Sequence, residues 1–187
     1  MPKPSDFTGD RWPGRKPGNY KWYEIQDAVD YFEEFEKPKI IYPNILSKPE
    51  FTYDKHGWYT NQKCFIISLE DKYLLGLLNS KLNYYLFEKF LPKLRGGFYE
   101  PSYVFFKFFP IKKPDLKNEI EKSLHDTIIS NVDLMLQLNK DLQTATLPDQ
   151  KEQIGARIAH TDEKINRMVY RLYGLSEEEI RIVDNFR

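Results

Sequence analysis

Hydrophobic residues along this 187-residue chain are spaced in two ways, and the change comes near Pro114. Beyond it, Leu124, Ile128, Asn131, Met135, Leu138 and Leu142 follow a four-three-four-three-four spacing. After a break at Thr146–Asp149, Ile154, Ile158, Thr161, Ile165, Met168 and Leu172 repeat it. Two helices with matched apolar seams and a short joint can cover both stripes only as an antiparallel hairpin. With about 27 residues per helix at ~1.5 Å each, the arm is expected to be roughly 40 Å long. Asn131 and Thr161 interrupt the seam with polar groups, which in such packing fix register at some cost in stability. Gly174 predicts a helix C-cap, and Ser176 before Glu177, Glu178 and Glu179 predicts a last short helix to Phe186.

Before Pro114 the apolar runs are short. Residues 1–19 hold four prolines and three glycines, with Arg11, Trp12, Arg15 and Lys16 among them, and predict an extended arm. Tyr20–Phe35 reads as an amphipathic helix with Trp22, Ile25, Val29 and Phe32 on one face. Lys39–Pro43 (KIIYP) has the character of a buried strand. Residues 51–68 read as a hairpin: a strand at Phe51–Tyr53, a turn at Asp54–Gly57, a return through Trp58 and Tyr59, and the strand CFIIS. Glu70 and Asp71 suit a helix start. The helix continues through Leu78, Leu82, Tyr85 and Phe90 and stops at Pro92. Lys93, Arg95, Gly96 and Gly97 then form a loop, followed by an aromatic run of strand character to Pro110. The expectation is an α+β fold: a small mixed or antiparallel β region over 1–113, then a helical hairpin with a short terminal helix over 114–187.

Composition adds a soluble, tyrosine- and phenylalanine-rich character, with 41% hydrophobic, 16% aromatic and 30% charged residues. No apolar run approaches the roughly 18 residues of a membrane span, and the start of the chain is unlike a signal peptide. The single cysteine, Cys64, lies in an apolar run and has no partner for an internal disulfide, which suits a buried thiol in a reducing compartment. A cytoplasmic location is the expectation.

Charge changes the picture more. Lys plus Arg equals Asp plus Glu at 28 each, yet Lys81 to Lys113 holds seven basic residues against two acidic ones. Two readings stand. The stretch is a solvated surface loop, or it is a surface that meets a polyanion, with cations neutralising phosphates beside flexible glycine backbone.

Candidate catalytic chemistry is sparse. There is no HExxH, CxxC pair, Walker loop, GxGxxG or GxSxG motif, and His56, His125 and His160 are scattered over a loop and two helices. Glu24, Asp27 and Asp30 have ordinary helical spacing, and Glu70, Asp71 and Lys72 fit a helix start better than a nuclease site. The chain is not expected to be an enzyme by itself.

Several pieces in fixed order carry a resemblance. These are WYEI (Trp22–Ile25), YFEEFEKPKIIYPNI (Tyr31–Ile45), FTYDKHGWYTNQKCFII (Phe51–Ile67), YLLGLLNSKLNYYLF (Tyr73–Phe87), RGGFYE (Arg95–Glu100), FFPIKKP (Phe108–Pro114) and MVYRLYGLSEEEIRIV (Met168–Val183). Together they resemble the TaqI-like C-terminal specificity domain, the target-recognition part of type II restriction-modification enzymes and related adenine-specific DNA methyltransferases. The resemblance covers nearly all of the chain after about Lys21. It implies an α+β recognition domain of the DNA methylase specificity type with a C-terminal helical hairpin. It also implies double-stranded DNA as a partner, together with an N-terminal methyltransferase or endonuclease domain or subunit. S-adenosylmethionine, and Mg where cleavage occurs, would belong to those catalytic domains and not to this chain, which has neither an NPPY-type motif nor a glycine motif for that cofactor. The chain then looks like a recognition domain or a separate specificity subunit, with self-association through the hairpin open to it.

On that resemblance, Lys93, Arg95 and the Gly96–Gly97 backbone are expected at phosphates or guanine edges, since glycine permits close approach and arginine pairs bidentately with guanine. Lys55 and His56 in the Asp54–Gly57 turn, and Asn61, Gln62 and Lys63, supply further contacts. Tyr99 is a stacking residue or a core residue. The competing reading is a protein-interaction module that docks a partner through its helical hairpin, with the basic loop incidental.

Overall fold

The computed structural model describes residues 8, 14, 19–21, 23–25 and 30–186. At its centre is β1 (Lys39–Pro43), flanked by β2 (Thr52–Asp54) and β3 (Cys64–Ile67) in the order β2-β1-β3. Both neighbours run antiparallel to β1, with Ile40 opposite Tyr53 on one side and Ile67 on the other. The expected hairpin of 51–68 is therefore split, because β2 and β3 do not pair with each other. The physical reason lies in β1, whose first four residues are all buried and whose two edges both need a partner. As β2 and β3 are parallel, residues 55–63 must travel back along the length of the sheet to join them.

A second expectation fails just before the sheet. Tyr20–Phe35 is not a helix in its described part: Tyr23 and Glu24 form a turn, and only Phe32–Phe35 winds, as one 3-10 turn with Phe32 50% exposed. Trp22 and Val29, and the arm of residues 1–19 apart from Thr8, Gly14 and Asn19, lie outside the described residues.

The helix after the sheet comes in two pieces, α1 (Lys72–Leu78) and α2 (Lys81–Phe90). Asp71 caps the first by accepting from the Leu74 amide at 2.8 Å, as its place in the sequence suggested. The break falls at Asn79, whose side chain accepts from the Phe51 amide at 3.0 Å and donates to the Phe51 carbonyl at 2.9 Å. That pairing pins α1 to the start of β2, and Ser80 then caps α2. After Pro92, β4 (Lys93–Leu94) and β5 (Phe98–Tyr99) form a two-stranded hairpin.

The aromatic run beyond it is a strand only through Tyr99. Pro101 is buried, and Ser102 opens a single helical turn, α3 (Tyr103–Phe106). Three-residue spacing turns Phe106 and Phe109 inward, Phe106 against Phe51 and Tyr42 and Phe109 against Phe87 and Phe90, while Tyr103, Val104 and Phe108 stay exposed.

The helical hairpin is present as α4 (Glu119–Thr144) and α5 (Pro148–Tyr173), followed by α6 (Glu177–Asp184). Gly174 ends α5 at φ 68°, and Ser176 with Glu179 makes a reciprocal capping box for α6. Asn131 and Thr161 bond within their own helices, to the Thr127 and Arg157 carbonyls at 2.8 Å each, so neither reaches across the seam. His125 is half-buried, with its ring 4.9 Å from that of Tyr73 on α1. The root of the hairpin belongs to the main core, where Leu124, Ile128, Val132, Ile165 and Val169 join Ile40, Leu78 and Phe87. Leu138, Ala145 and Ile154 form a separate cluster towards its tip. No helix among the described residues is long and apolar enough to cross a membrane.

Candidate nucleic-acid interface

The turn between β4 and β5 consists of Arg95, Gly96 and Gly97, closed by the pairs Lys93 with Tyr99 and Leu94 with Phe98. Gly96 and Gly97 sit at φ 89° and 80°, a backbone region that side chains strain, which is why two glycines occur here in succession. A Cβ on Gly97 would meet nothing within 4 Å, so the main chain at the tip is open to close approach. Arg95 is exposed and, among the described residues, has no hydrogen bond or ion pair.

The base of this turn is fixed by Glu88 on α2. Its carboxylate accepts from the Tyr99 hydroxyl at 2.7 Å and pairs with Lys93 Nζ at 3.0 Å, and these two donors hold the Glu88 carboxyl below its ordinary pKa. Lys93 is thus paired within the fold, although 56% of its side chain stays exposed. Tyr99 is only 3% exposed and packs on Phe87, so of its two expected roles the structure supports the core and not base stacking. Burial, with the Glu88 carboxylate beside it, also raises its phenol pKa well above the usual value.

Asn61, Gln62 and Lys63 are all exposed. Asn61 shapes their loop by accepting from the Lys63 amide at 2.9 Å through its side chain and from the Cys64 amide at 3.1 Å through its carbonyl. The stretch after β1 grips the same loop: the Asn44 amide donates to the Lys63 carbonyl at 2.9 Å, and Asn44 Nδ2 donates to the Gln62 carbonyl at 3.1 Å. Two residues on, Leu46 exchanges a pair of backbone bonds with Tyr99, at 3.1 and 2.8 Å. One short segment therefore holds the Asn61–Lys63 loop and the Arg95–Gly97 hairpin on the same side of the fold.

Lys55 and His56 are elsewhere. They follow Asp54, which pairs with Lys39 at the start of β1, whereas Asn44 follows its end. At ~3.3 Å per residue the two groups lie roughly 13 Å or more apart along the strand. Asp54, expected at a polar turn tip, is buried: its carboxylate accepts from the His56 and Trp58 amides at 2.8 and 2.9 Å and from Lys39. The His56 ring stacks on Trp58 at 5.9 Å.

Sequence reasoning passed over two residues in this region, Asn44 and Lys48. Asn44 falls at the end of the Tyr31–Ile45 piece of the resemblance and Lys48 just beyond it, on an extended link between two predicted strands with no apolar period to mark a contact. Lys48 is exposed and, among the described residues, has no hydrogen bond or ion pair.

A small α+β body thus presents open glycine backbone, an arginine that among the described residues has no hydrogen-bond or ion-pair partner, and a polar loop side by side. Residues 10–111 match the family model of the TaqI-like C-terminal specificity domain. The match covers more than half of the chain, and the chain belongs to that family of target-recognition domains of restriction-modification enzymes. It takes in the sheet, both candidate loops and α3, and it stops before α4, so the helical hairpin lies beyond it. A specificity domain is not itself catalytic. No curated protein matches the chain.

Proposed function

We propose that the chain binds duplex DNA and reads its sequence from the major groove. It thereby positions the duplex for adenine methylation, and for cleavage where the enzyme is bifunctional, by a separate catalytic domain that holds S-adenosylmethionine. The observation that carries this reading is the unpaired Arg95 on a turn whose base is locked by Glu88 and Tyr99, next to the Asn61–Lys63 loop. A base-reading side chain needs a fixed origin and a free end, and Arg95 has both. Its guanidinium suits the O6 and N7 edge of guanine and the Gln62 carboxamide, unpartnered among the described residues, suits adenine, while Asn61, whose Oδ1 accepts from the Lys63 amide, keeps that loop in shape. Lys63 supplies a cation for phosphate. Support also comes from membership of a specificity-domain family. The alternative, a module that docks a partner through the hairpin, has less surface available, because the root of that hairpin is taken up by α1 and α2.

The test is retention of a mixed-sequence duplex by the purified chain as salt is raised. Phosphate neutralisation predicts a straight line of negative slope between log affinity and log salt, about 0.9 for each phosphate contacted. Failure to retain duplex at low salt would leave the interaction module as the better reading.

A further inference from the structure

The two candidate loops are held by residues Asn44–Lys48, and the manner of the grip is informative. Every bond is to main chain: the Gln62 and Lys63 carbonyls accept from Asn44, and the Tyr99 amide and carbonyl pair with Leu46. The side chains of Gln62, Lys63 and Arg95 are left without a hydrogen-bond or ion-pair partner among the described residues. The segment is also more than a brace behind the loops. Leu46 is buried, but Ile45 on one side of it and Lys48 on the other are exposed. Lys48 lies within ~7 Å of Leu46 along the chain, and Leu46 is bonded directly to the hairpin that carries Arg95.

We propose that Asn44–Lys48 is a third element of the duplex-binding surface. Asn44 is a positioning residue that sets the spacing between the Asn61–Lys63 loop and the Arg95–Gly97 turn, and Lys48 contacts a backbone phosphate. The inference rests on the duplex-DNA reading above. The two residues act on different quantities. Successive bases are ~3.4 Å apart along a strand, so a loop that drifts by a fraction of that distance loses register with its base edges while its charge stays near the backbone. Loss of the Asn44 side chain removes its bond to the Gln62 carbonyl and leaves only the backbone bond to Lys63 to hold the loop, which reduces discrimination between sequences and leaves the electrostatic attraction intact. Lys48 is a flexible point charge, so its loss weakens all sequences alike.

The experiment uses the whole chain, a pool of randomised duplexes as probe, and the variants Asn44→Ala and Lys48→Ala. Three quantities are read: amide hydrogen exchange at residues 61–64 and 93–99, the salt slope of retention, and the enrichment of preferred sequences over the pool. Asn44→Ala is expected to speed exchange at Lys63 and Cys64 and, with one hydrogen bond lost, to lower enrichment by up to about ten-fold with an unchanged salt slope. Asn44→Gln keeps an amide donor and is expected to restore enrichment, which separates the lost bond from any loss of fold. Lys48→Ala is expected to reduce the salt slope by about one and leave the enriched sequence unchanged. Undiminished enrichment in Asn44→Ala, or an unchanged slope in Lys48→Ala, overturns the proposal while duplex binding stands. A wild-type chain that retains no duplex overturns the duplex-DNA reading and this proposal with it.

Discussion

Lys39 Nζ, on a side chain with no exposed surface, donates to the carboxylate of Asp54 on the neighbouring strand, which is itself 2% exposed. The same ammonium donates to the Phe35 carbonyl, and the same carboxylate accepts from the His56 and Trp58 amides. The 3-10 turn, the start of β1 and the crossover segment thus meet at one buried pair. The stacking of Tyr59 on Phe35, 5.1 Å apart, and the Tyr59 hydroxyl on Glu36 close the same junction.

Removing one partner leaves the other charge buried and unpaired. Lys39→Met is expected to cost about 3–5 kcal/mol in denaturant unfolding. The double variant Lys39→Met/Asp54→Leu is expected to recover much of that loss, since desolvation of both charges is then avoided. A single variant as stable as the wild type would contradict this account of the junction.

The same pair has a pH signature. Burial raises the Asp54 pKa, but the bonds from Lys39 and from the two backbone amides outweigh it, and the net pKa lies below the ordinary 3.8. Because the folded value is below the unfolded one, the carboxylate's contribution to stability is present above pH 3.8 and is lost as pH falls through the lower, folded value. Other carboxylates titrate in the same region, so the informative quantity is the difference from Asp54→Asn. The stability gap between wild type and Asp54→Asn is expected to narrow as pH drops below 3.8; a gap that stays constant would contradict the assignment.

Two helical glycines are predicted to respond oppositely to alanine. A Cβ on Gly76 would come within 2.8 Å of Ile128 Cγ2 and 3.0 Å of Val132 Cγ2, where α1 packs on α4. Gly76→Ala is therefore expected to destabilise by about 1–3 kcal/mol through overpacking, despite its better helix propensity. Gly155 on α5 has open space at its Cβ position, so Gly155→Ala is expected to stabilise by up to ~1 kcal/mol. Thermal unfolding of the two variants checks both signs.

What was legible in the sequence follows from how locally each feature is encoded. The seam of α4 and α5, the Asp71 and Ser176 caps and the Gly174 terminator depend on spacing within a few residues, and all are present. The central place of β1 depends on which strands come to its two edges, information that no short window holds, and so 51–68 looked like a hairpin. The YVFFKFF run was misleading because seven residues of nearly unbroken apolar character carry no alternation. Only the inward packing of Phe106 and Phe109 reveals a helical turn. Of the expected contact residues, Asn61, Gln62, Lys63, Arg95, Gly96 and Gly97 come to one side, while Tyr99 is buried on Glu88 and Lys93 forms an ion pair with it. Those two contacts depend on a turn of α2 lying beside the hairpin, which charge counting cannot foresee.

Lys93 and Lys63 then separate a paired cation from an unpaired one. Lys63→Ala is expected to lower the salt slope of duplex binding by about one. Lys93→Ala is expected to change it less, because its ammonium is held at 3.0 Å from Glu88. Equal losses would contradict the assignment of Lys93 to the fold.

Whether this chain reads DNA sequence through the turn at Arg95 is decided by selection from a randomised duplex pool with the wild type and Arg95→Ala side by side. The wild type is expected to enrich one short motif, and Arg95→Ala to bind it more weakly by about 1–3 kcal/mol with relaxed preference at one base pair. A wild type that retains all sequences equally, or an Arg95→Ala variant with the same motif and affinity, would contradict that reading.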